Sequence, residues 1–390
     1  MKNVYIVSAK RTAIGNFNGT ISALEAHELG ATVINNILTS TNIDPSLVSE
    51  VILGQVLTAA KGQNPARQAS IKAQLPFSVP AYNVAQVCGS GLKAVALGYQ
   101  AILSGDSSVV IAGGQESMSR ALHATYIRAA TKMGNNTLVD TMVSDGLTDA
   151  FYYYPMGITA ENIADKFKIS REAQDIFALQ SQKKASNAIK NNRFIDEIVP
   201  IKIVTRGLET NFVEDEFVKH TTTIDTLNKL RPVFNKDGSV TAGNASGIND
   251  GAAALLLVSE EVLIKYNLTP LGRIASWAQA GVEPELMGIG PIPASKMALK
   301  KANWQVQDLD LIEANEAFAS QTIVVNKEMQ WDLEKVNVNG GAIALGHPIG
   351  ASGARVLVTL IHQMIKSNAK KGLATLCIGG GMGIAMCIER

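Results

Sequence analysis

Cysteine is scarce in this chain: three residues in 390 make no disulfide framework and suit a reducing compartment. A surplus of one charge is missing as well. Thirty-five Lys and Arg face 34 Asp and Glu, a net charge of +1. No excess of positive charge therefore exists to hold a nucleic-acid backbone or an acidic membrane surface. No apolar run reaches the roughly 18 residues that a membrane span needs. The 33 glycines follow no collagen-like period. No G-x-G-x-x-G stands between a strand and a helix, there is no P-loop, and no Cys/His spacing fits zinc. Met1-Lys2-Asn3 leads straight into the apolar Val4-Tyr5-Ile6-Val7, which leaves no room for a signal or transit peptide, so the expected location is cytoplasmic. The Asn135-Asn136-Thr137 and Asn244-Ala245-Ser246 sequons are then chance matches.

What is present is core-forming material. Hydrophobic residues make up 46% and charged residues 18%, enough for a sizeable interior and too apolar for disorder. The length implies two or three domains. Short β-rich runs alternate with helical spacing, which predicts an α/β architecture with buried sheets. Strands are expected at Val4–Val7, Glu50–Val56, Tyr82–Val87 and Val109–Ala112. A later set falls at Ala252–Val258, Arg273–Trp277, Leu309–Glu313, Val336–Val338, Ala374–Ile378 and Gly383–Ile388. Leu29, Val33, Ile34, Ile37 and Leu38 have helical spacing, as do Leu92, Val95, Ala96, Tyr99, Ile102 and Leu103.

The two halves repeat the same order of elements. A strand enters a Gly-rich turn and helix, and the next strand ends in Gly-Gly, first at Gly113-Gly114 and again at Gly379-Gly380. The offsets, 336 − 84 = 252 and 376 − 110 = 266, indicate a duplicated unit. Between the halves, residues 118–248 hold 16 basic and 15 acidic residues, nearly half of the chain's charges in about a third of its length. That stretch reads as an exposed insertion over one face of the core, with a helix beginning after the N-cap Ser170.

Four segments could carry chemistry. In Gln86-Val87-Cys88-Gly89-Ser90-Gly91 a thiol sits at a strand-to-helix turn, where helix N-terminal N–H groups favour a thiolate. A buried, inert Cys at a tight turn is the alternative. In Asn339 to Arg355, five Gly within fifteen residues surround His347, which a loop can present as a base near neutral pH. A His that merely bonds a carbonyl is the plainer reading. Cys377, followed by Gly379-Gly380-Gly381, again joins a thiol to exposed N–H groups able to form an oxyanion hole. Glu313-Ala314-Asn315-Glu316-Ala317-Phe318 places an Asn and a Glu where a strand turns into a helix, either as caps or to orient a water or substrate. Cys387 lies in the apolar run Ile384–Ile388 and is assigned to the core.

Taken in order and spacing, Cys88-Gly89-Ser90-Gly91, Asn339 to Arg355 and Cys377 to Gly383 resemble the thiolases, in particular the biosynthetic acetyl-CoA acetyltransferase branch. Asn315-Glu316-Ala317-Phe318 and Ala242-Gly243-Asn244-Ala245-Ser246-Gly247 add to the likeness, which covers nearly the whole chain. The resemblance implies a duplicated αβαβα layered fold with a loop-domain insertion. The corresponding division is an N-terminal core half (1–117 with 249–269), a loop domain for coenzyme A and oligomer contacts (118–248) and a C-terminal core half (270–390).

The implied roles follow residue by residue. Cys88 is the nucleophile that takes an acyl group from an acyl-CoA, and His347 accepts its proton. Cys377 is the acid/base that removes the methyl proton of a second acetyl-CoA. His347 with a water held by Asn315 stabilises the enolate, and the Cys88 and Gly379 N–H groups stabilise the tetrahedral intermediate. Leu147, Met156, Lys219 and Ser246 are implied contacts for CoA, while Met287 and Phe318 match pocket-lining positions. The partners implied are acetyl-CoA, acetoacetyl-CoA and CoA, the last as substrate or product rather than cofactor, with no metal, and a homodimer or homotetramer. Two residues depart from the pattern: Pro155 replaces a frequent His, and Ala85 replaces a small polar residue three positions before Cys88. Three other readings stay open here: a degradative 3-ketoacyl-CoA thiolase of broader chain length, a thiolase-like acyl-binding protein without turnover, and a decarboxylating synthase, which would carry a second His at position 377.

Overall fold

A computed structural model of the chain describes residues 3–128, 132–205 and 207–390. The first half runs β1 (Val4–Thr12), α1 (Ala26–Thr41), β2 (Glu50–Gly54), α2 (Pro65–Lys72), β3 (Ala81–Val84), α3 (Ser90–Ser104) and β4 (Val109–Ser117). The insertion follows and carries α4 (Met156–Phe167) and α5 (Arg171–Lys190). The chain then returns through β5 (Asn249–Ser259). The second half runs β6 (Gly272–Gly281), α6 (Pro291–Ala302), β7 (Leu311–Ala314), α7 (Ala319–Met329), α8 (Ser352–Ser367), β8 (Lys371–Ile378) and β9 (Met382–Glu389).

The strands line up as β7-β8-β9-β6-β1-β5-β4-β2-β3. The order is a palindrome of the duplication. From its centre each half reads antiparallel, antiparallel, parallel: β1-β5-β4-β2 on one side and β6-β9-β8-β7 on the other. The halves join where Tyr5 pairs with Arg273 and Ile6 with Gly272, antiparallel.

Alternation along each strand divides the interior. Ala253, Leu255 and Leu257 of β5 enter a central core with Leu92 and Val95 of α3 and with Leu357 and Ile361 of α8. Their neighbours Ala252, Ala254, Leu256 and Val258 instead meet Leu29, Val33 and Ile37 of α1. In the second half, Ala385 and Cys387 face Ala294, Ala298 and Leu299 of α6, while Ile384, Met386 and Ile388 face the centre. Both faces of every central strand are covered, which is why these runs read as almost wholly apolar. The layers are therefore α1/α2, half-sheet, α3/α8, half-sheet, α6/α7.

Two expected strands come out shorter. Tyr82–Val87 stops pairing at Val84 and becomes the turn before Cys88. Val336–Val338 shrinks to one parallel bridge between Val336 and Ile312. Asn337 adopts φ +45°, and its amide does the pairing: Oδ1 accepts from Ala314 N (2.9 Å) and Nδ2 donates to Ala314 O (2.8 Å). A side chain stands in for the ladder there, in the place that β3 fills in the first half.

The insertion is fastened by charge. Arg11 of β1 is fully buried and forks onto Asp215 (2.7 and 2.9 Å) while its Nε reaches Glu197 (2.6 Å), both carboxylates belonging to the insertion. Helix α5 begins where its cap predicts: Ser170 Oγ accepts from Ala173 N at 3.1 Å.

Candidate active site

The duplication sets two helix N-termini against each other in the central layer. Helices α3 and α8 begin with Ser90-Gly91 and Ser352-Gly353. A Cβ on Gly91 would fall 2.8 Å from Ala354 N, and one on Gly353 would fall 2.8 Å from Leu92 Cβ. Only glycine allows this backbone-to-backbone approach. The loops entering the two helices, one with Cys88 and the other with His347, line one cavity of about 420 Å³.

Cys88 stands on a tense turn. Val87, β-branched, holds φ +45°, a conformation that such residues rarely adopt. Ser90 pins it, its Oγ accepting from Gln86 N (2.8 Å) and donating to Val87 O (2.7 Å). The thiol is half-buried, and the N–H groups of Gly379 and of Cys88 itself hydrogen-bond its sulfur. Burial nonetheless dominates and pushes the thiol up to about 11, with the Glu116 carboxyl adding to the rise. The thiolate expected at a helix N-terminus is thus not the resting form, because desolvation outweighs the local donors.

His347 is buried at 6% exposure. Its backbone N donates to Asn249 Oδ1 (2.9 Å), which ties the loop to β5. Its Nδ1 lies 2.6 Å from Ser352 Oγ and 3.5 Å from Asn315 Nδ2. Its Nε2 is buried without a hydrogen-bond partner among the described residues, and so is Asn315 Oδ1. Burial first, then the Arg355 guanidinium, pushes the imidazole down to about 4, so it is neutral near pH 7. Asn315 and its neighbour Glu316 are held by a buried cluster. Glu316 accepts from Ser181 Oγ (2.6 Å) and Asn337 Nδ2 (2.9 Å), joining the insertion to both second-half loops.

Cys377 is fully buried at the end of β8, in an apolar cluster with Met287, Ala317, Phe318 and Ala245. Burial, and then the neighbouring Cys88, raise its thiol well above the ordinary range. Cys387 is core in the second half, as its run of apolar neighbours predicts.

Of the residues singled out from sequence, Cys88, Leu147, Met156, Ser246, Met287, Phe318, His347 and Gly379 line the cavity together. Asn315 and Cys377 stand directly behind its wall. Lys219 does not line it. That side chain borders an adjoining cleft with Gln182 and Thr222, its ammonium 5.3 Å from the Phe217 ring centroid. Pro155 lines the cavity and is the N-cap of α4, whereas Ala85 is exposed. Sequence reasoning missed Ser352, Asn249, Met118 and Ile349. Ser352 had a signal, since Ala351-Ser352-Gly353 repeats Gly89-Ser90-Gly91 at an offset of 352 − 90 = 262, between the two offsets of the duplication. Among the described residues no group of three or more His, Cys, Asp or Glu could hold a metal ion, and no helix is long and apolar enough to cross a membrane.

Comparison with known proteins gives the family. The family described as "Thiolase, N-terminal domain" matches residues 4–261, and "Thiolase, C-terminal domain" matches residues 268–390. Acetyl-CoA acetyltransferase from Chromobacterium violaceum is 61% identical over 389 residues, with 99% of each chain covered. The protein of the same name from Rhizobium meliloti is 58% identical, covering 100% of this chain and 99% of its own. Among solved structures, Bacillus anthracis acetyl-CoA acetyltransferase superposes with a TM-score of 0.97 at 43% identity, covering 100% of this chain and 99% of its own. Human mitochondrial 3-ketoacyl-CoA thiolase in complex with CoA gives 0.95 at 42% identity, with 100% and 98% covered. With both domains matched end to end, the layered fold repeated and the two loops facing one cavity, the chain belongs to the thiolase family.

Proposed function

We propose that this protein is an acetyl-CoA C-acetyltransferase, joining two acetyl-CoA reversibly into acetoacetyl-CoA and CoA. The observation that carries the reading is the meeting of Cys88, His347 and the Gly379 N–H at one largely apolar cavity.

In the first half-reaction the Cys88 sulfur attacks the thioester carbonyl of acetyl-CoA. Its thiol holds its proton at rest, so the proton leaves as the S–C bond forms, and the bare Nε2 of His347 accepts it. The Cys88 and Gly379 N–H groups, already aimed at this sulfur, donate to the tetrahedral oxyanion. Collapse breaks the bond to CoA, whose thiolate takes the proton of Cys377. The high affinity of Cys377 for its proton keeps that acid loaded until a thiolate forms beside it. Acylation leaves acetyl-Cys88, a Cys377 thiolate and a protonated His347, with free CoA departing.

The second half-reaction spends this charge separation. The Cys377 thiolate removes the methyl proton of a second acetyl-CoA, and His347 Nε2–H donates to the developing enolate oxygen, together with a water held by Asn315. The enolate carbon attacks acetyl-Cys88, the tetrahedral adduct expels the Cys88 sulfur, and His347 returns the proton to it. Acetoacetyl-CoA leaves, and all three side chains are back in their starting forms.

In this reading Leu147, Met156 and Ser246 hold the pantetheine arm along the cavity that they line, and Met287 and Phe318 close the acyl end. Lys219, which borders the adjoining cleft, meets a CoA phosphate in this reading. A cytoplasmic homodimer or homotetramer accompanies this reading. The exposed Leu138, Phe151 and Tyr153 of the insertion supply apolar surface for contacts between subunits, which light scattering of the purified protein would count.

Mass spectrometry after mixing with acetyl-CoA tests the assignment. Cys88→Ala should gain no acetyl group, whereas Cys377→Ala should still acetylate yet form no acetoacetyl-CoA. Equal labelling of wild type and Cys88→Ala would defeat it. Thiolysis over a series of chain lengths separates this reading from a degradative thiolase, since a preference for long 3-ketoacyl-CoA would favour the latter.

A further inference from the structure

From the hydrogen bonds around the buried serine at the start of α8 we infer that Ser352 is a positioning residue that fixes the tautomer of His347, keeping the proton on Nδ1 and leaving Nε2 bare. The inference rests on the proposed role of His347 as proton acceptor, and it adds a residue that the family likeness did not point to.

Ser352 is 1% exposed, and a serine hydroxyl has one hydrogen to give. Its Oγ lies 2.9 Å from Pro348 O, a carbonyl that can only accept. The hydroxyl hydrogen is assigned to Pro348 O, the back-bond to the carbonyl four residues earlier that helical serines make; that carbonyl also accepts from Ala351 N and Ser352 N, both at 2.9 Å. What remains at Oγ is a lone pair, and His347 Nδ1 lies 2.6 Å from it. With the hydroxyl hydrogen on Pro348 O, that contact takes its hydrogen from Nδ1. The Asn315 Nδ2 approach to the same nitrogen, at 3.5 Å, is at the outer limit of hydrogen bonding and does not compete with it. Nε2, buried and unpartnered among the described residues, keeps its lone pair.

A neutral orienting group suits both halves of the cycle. A carboxylate at position 352 would hold a standing imidazolium and block acceptance of the Cys88 proton. Ser352 instead leaves the ring neutral at rest, in line with burial and the nearby Arg355 guanidinium. Once Nε2 has taken the proton, the same Nδ1–H···Oγ bond persists, and Nε2–H faces the second substrate without the ring turning.

Nitrogen NMR of enzyme labelled with 15N-histidine reads the tautomer directly, with His347→Asn identifying the signal among five histidines. The wild type at pH 7 should show a protonated Nδ1 and an unprotonated Nε2. In Ser352→Ala the Nδ1–H loses its acceptor, and the Nε2–H form should grow by about five-fold, the weight of one neutral hydrogen bond. The rate of Cys88 acetylation should fall in proportion to the loss of the Nδ1–H form, with the KM for acetyl-CoA unchanged. A wild-type spectrum showing Nε2–H overturns the inference, and so does a Ser352→Ala enzyme with both tautomer and acetylation rate intact. If Ser352→Ala does not fold, the wild-type spectrum decides alone. The spectrum is taken without substrate, so a wild type that fails to acetylate Cys88 would sink the functional reading and leave the tautomer result standing.

Discussion

Replacing Gly353 by Ala sets two effects of opposite sign against each other. Helix propensity favours Ala by up to about 1 kcal/mol inside α8. Packing opposes it. The new Cβ would lie 2.8 Å from Leu92 Cβ and 3.2 Å from Leu92 Cα, with Leu92 N nearer still. Carbon atoms in contact prefer about 3.5–4.0 Å, so α3 and α8 must part by about 1 Å. Leu92 is fully buried and the closest atoms are backbone, so no side chain can swing away. Overpacking of this kind costs about 1–3 kcal/mol and outweighs the propensity gain. The kinetic loss should be larger, because α3 follows Cys88 and α8 follows His347. Displacing reacting groups by about 1 Å can cost about 100-fold. Thermal unfolding together with quench-flow acetylation by acetyl-CoA measures both. A Gly353→Ala enzyme as stable as wild type, acetylating at the wild-type rate, would refute the claim that this close approach positions the pair.

Three further outcomes are expected. Because burial holds the Cys88 thiol up at about 11, alkylation of Cys88 by iodoacetamide should keep accelerating from pH 8 to pH 10; a plateau already reached by pH 9 contradicts it. Arg11→Met strands the buried Asp215 and Glu197 carboxylates and should cost about 3–5 kcal/mol in urea unfolding, while an unchanged midpoint would show that the insertion is held by other means. Lys219→Ala should raise the KM for acetyl-CoA several-fold and leave the acetylation rate at saturation unaltered; an unchanged KM removes Lys219 from the CoA contacts.

The parts of the site that could be read from sequence were those where backbone demands left a trace. Glycines beside Cys88, His347 and Cys377 mark close approaches, and the structure shows what is approached: Ile378 at Gly89, Glu116 at Gly350 and Asn249 at Gly346. The buried sheets were legible from the β-rich runs because both faces of each central strand are covered, whereas the layer order came with the family resemblance. Three things were not. The ionisation of Cys88 depends on how much protein covers the sulfur, which a local motif cannot express. The third second-half strand looked continuous because nothing in Val336-Asn337-Val338 signals that an amide side chain will do the pairing. Ser352 passed as one more small residue: its match to Ser90 in the repeat marks the position, but its contact with His347 exists only through the fold of that loop.

The internal repeat bears on how such a site can arise at all. Cys88 belongs to one half and His347 with Cys377 to the other, so neither half holds the proposed nucleophile and its proposed proton acceptor together. Two separate chains of half this length would have to find each other at whatever concentration the cell supplied. Covalent linkage replaces that search with a fixed effective concentration, typically millimolar or above for tethered partners. The seam at Tyr5–Arg273 and Ile6–Gly272, together with the glycine contact between α3 and α8, then sets their orientation. In the proposed mechanism one half thus supplies the thiol that is acylated and the other the groups that move protons.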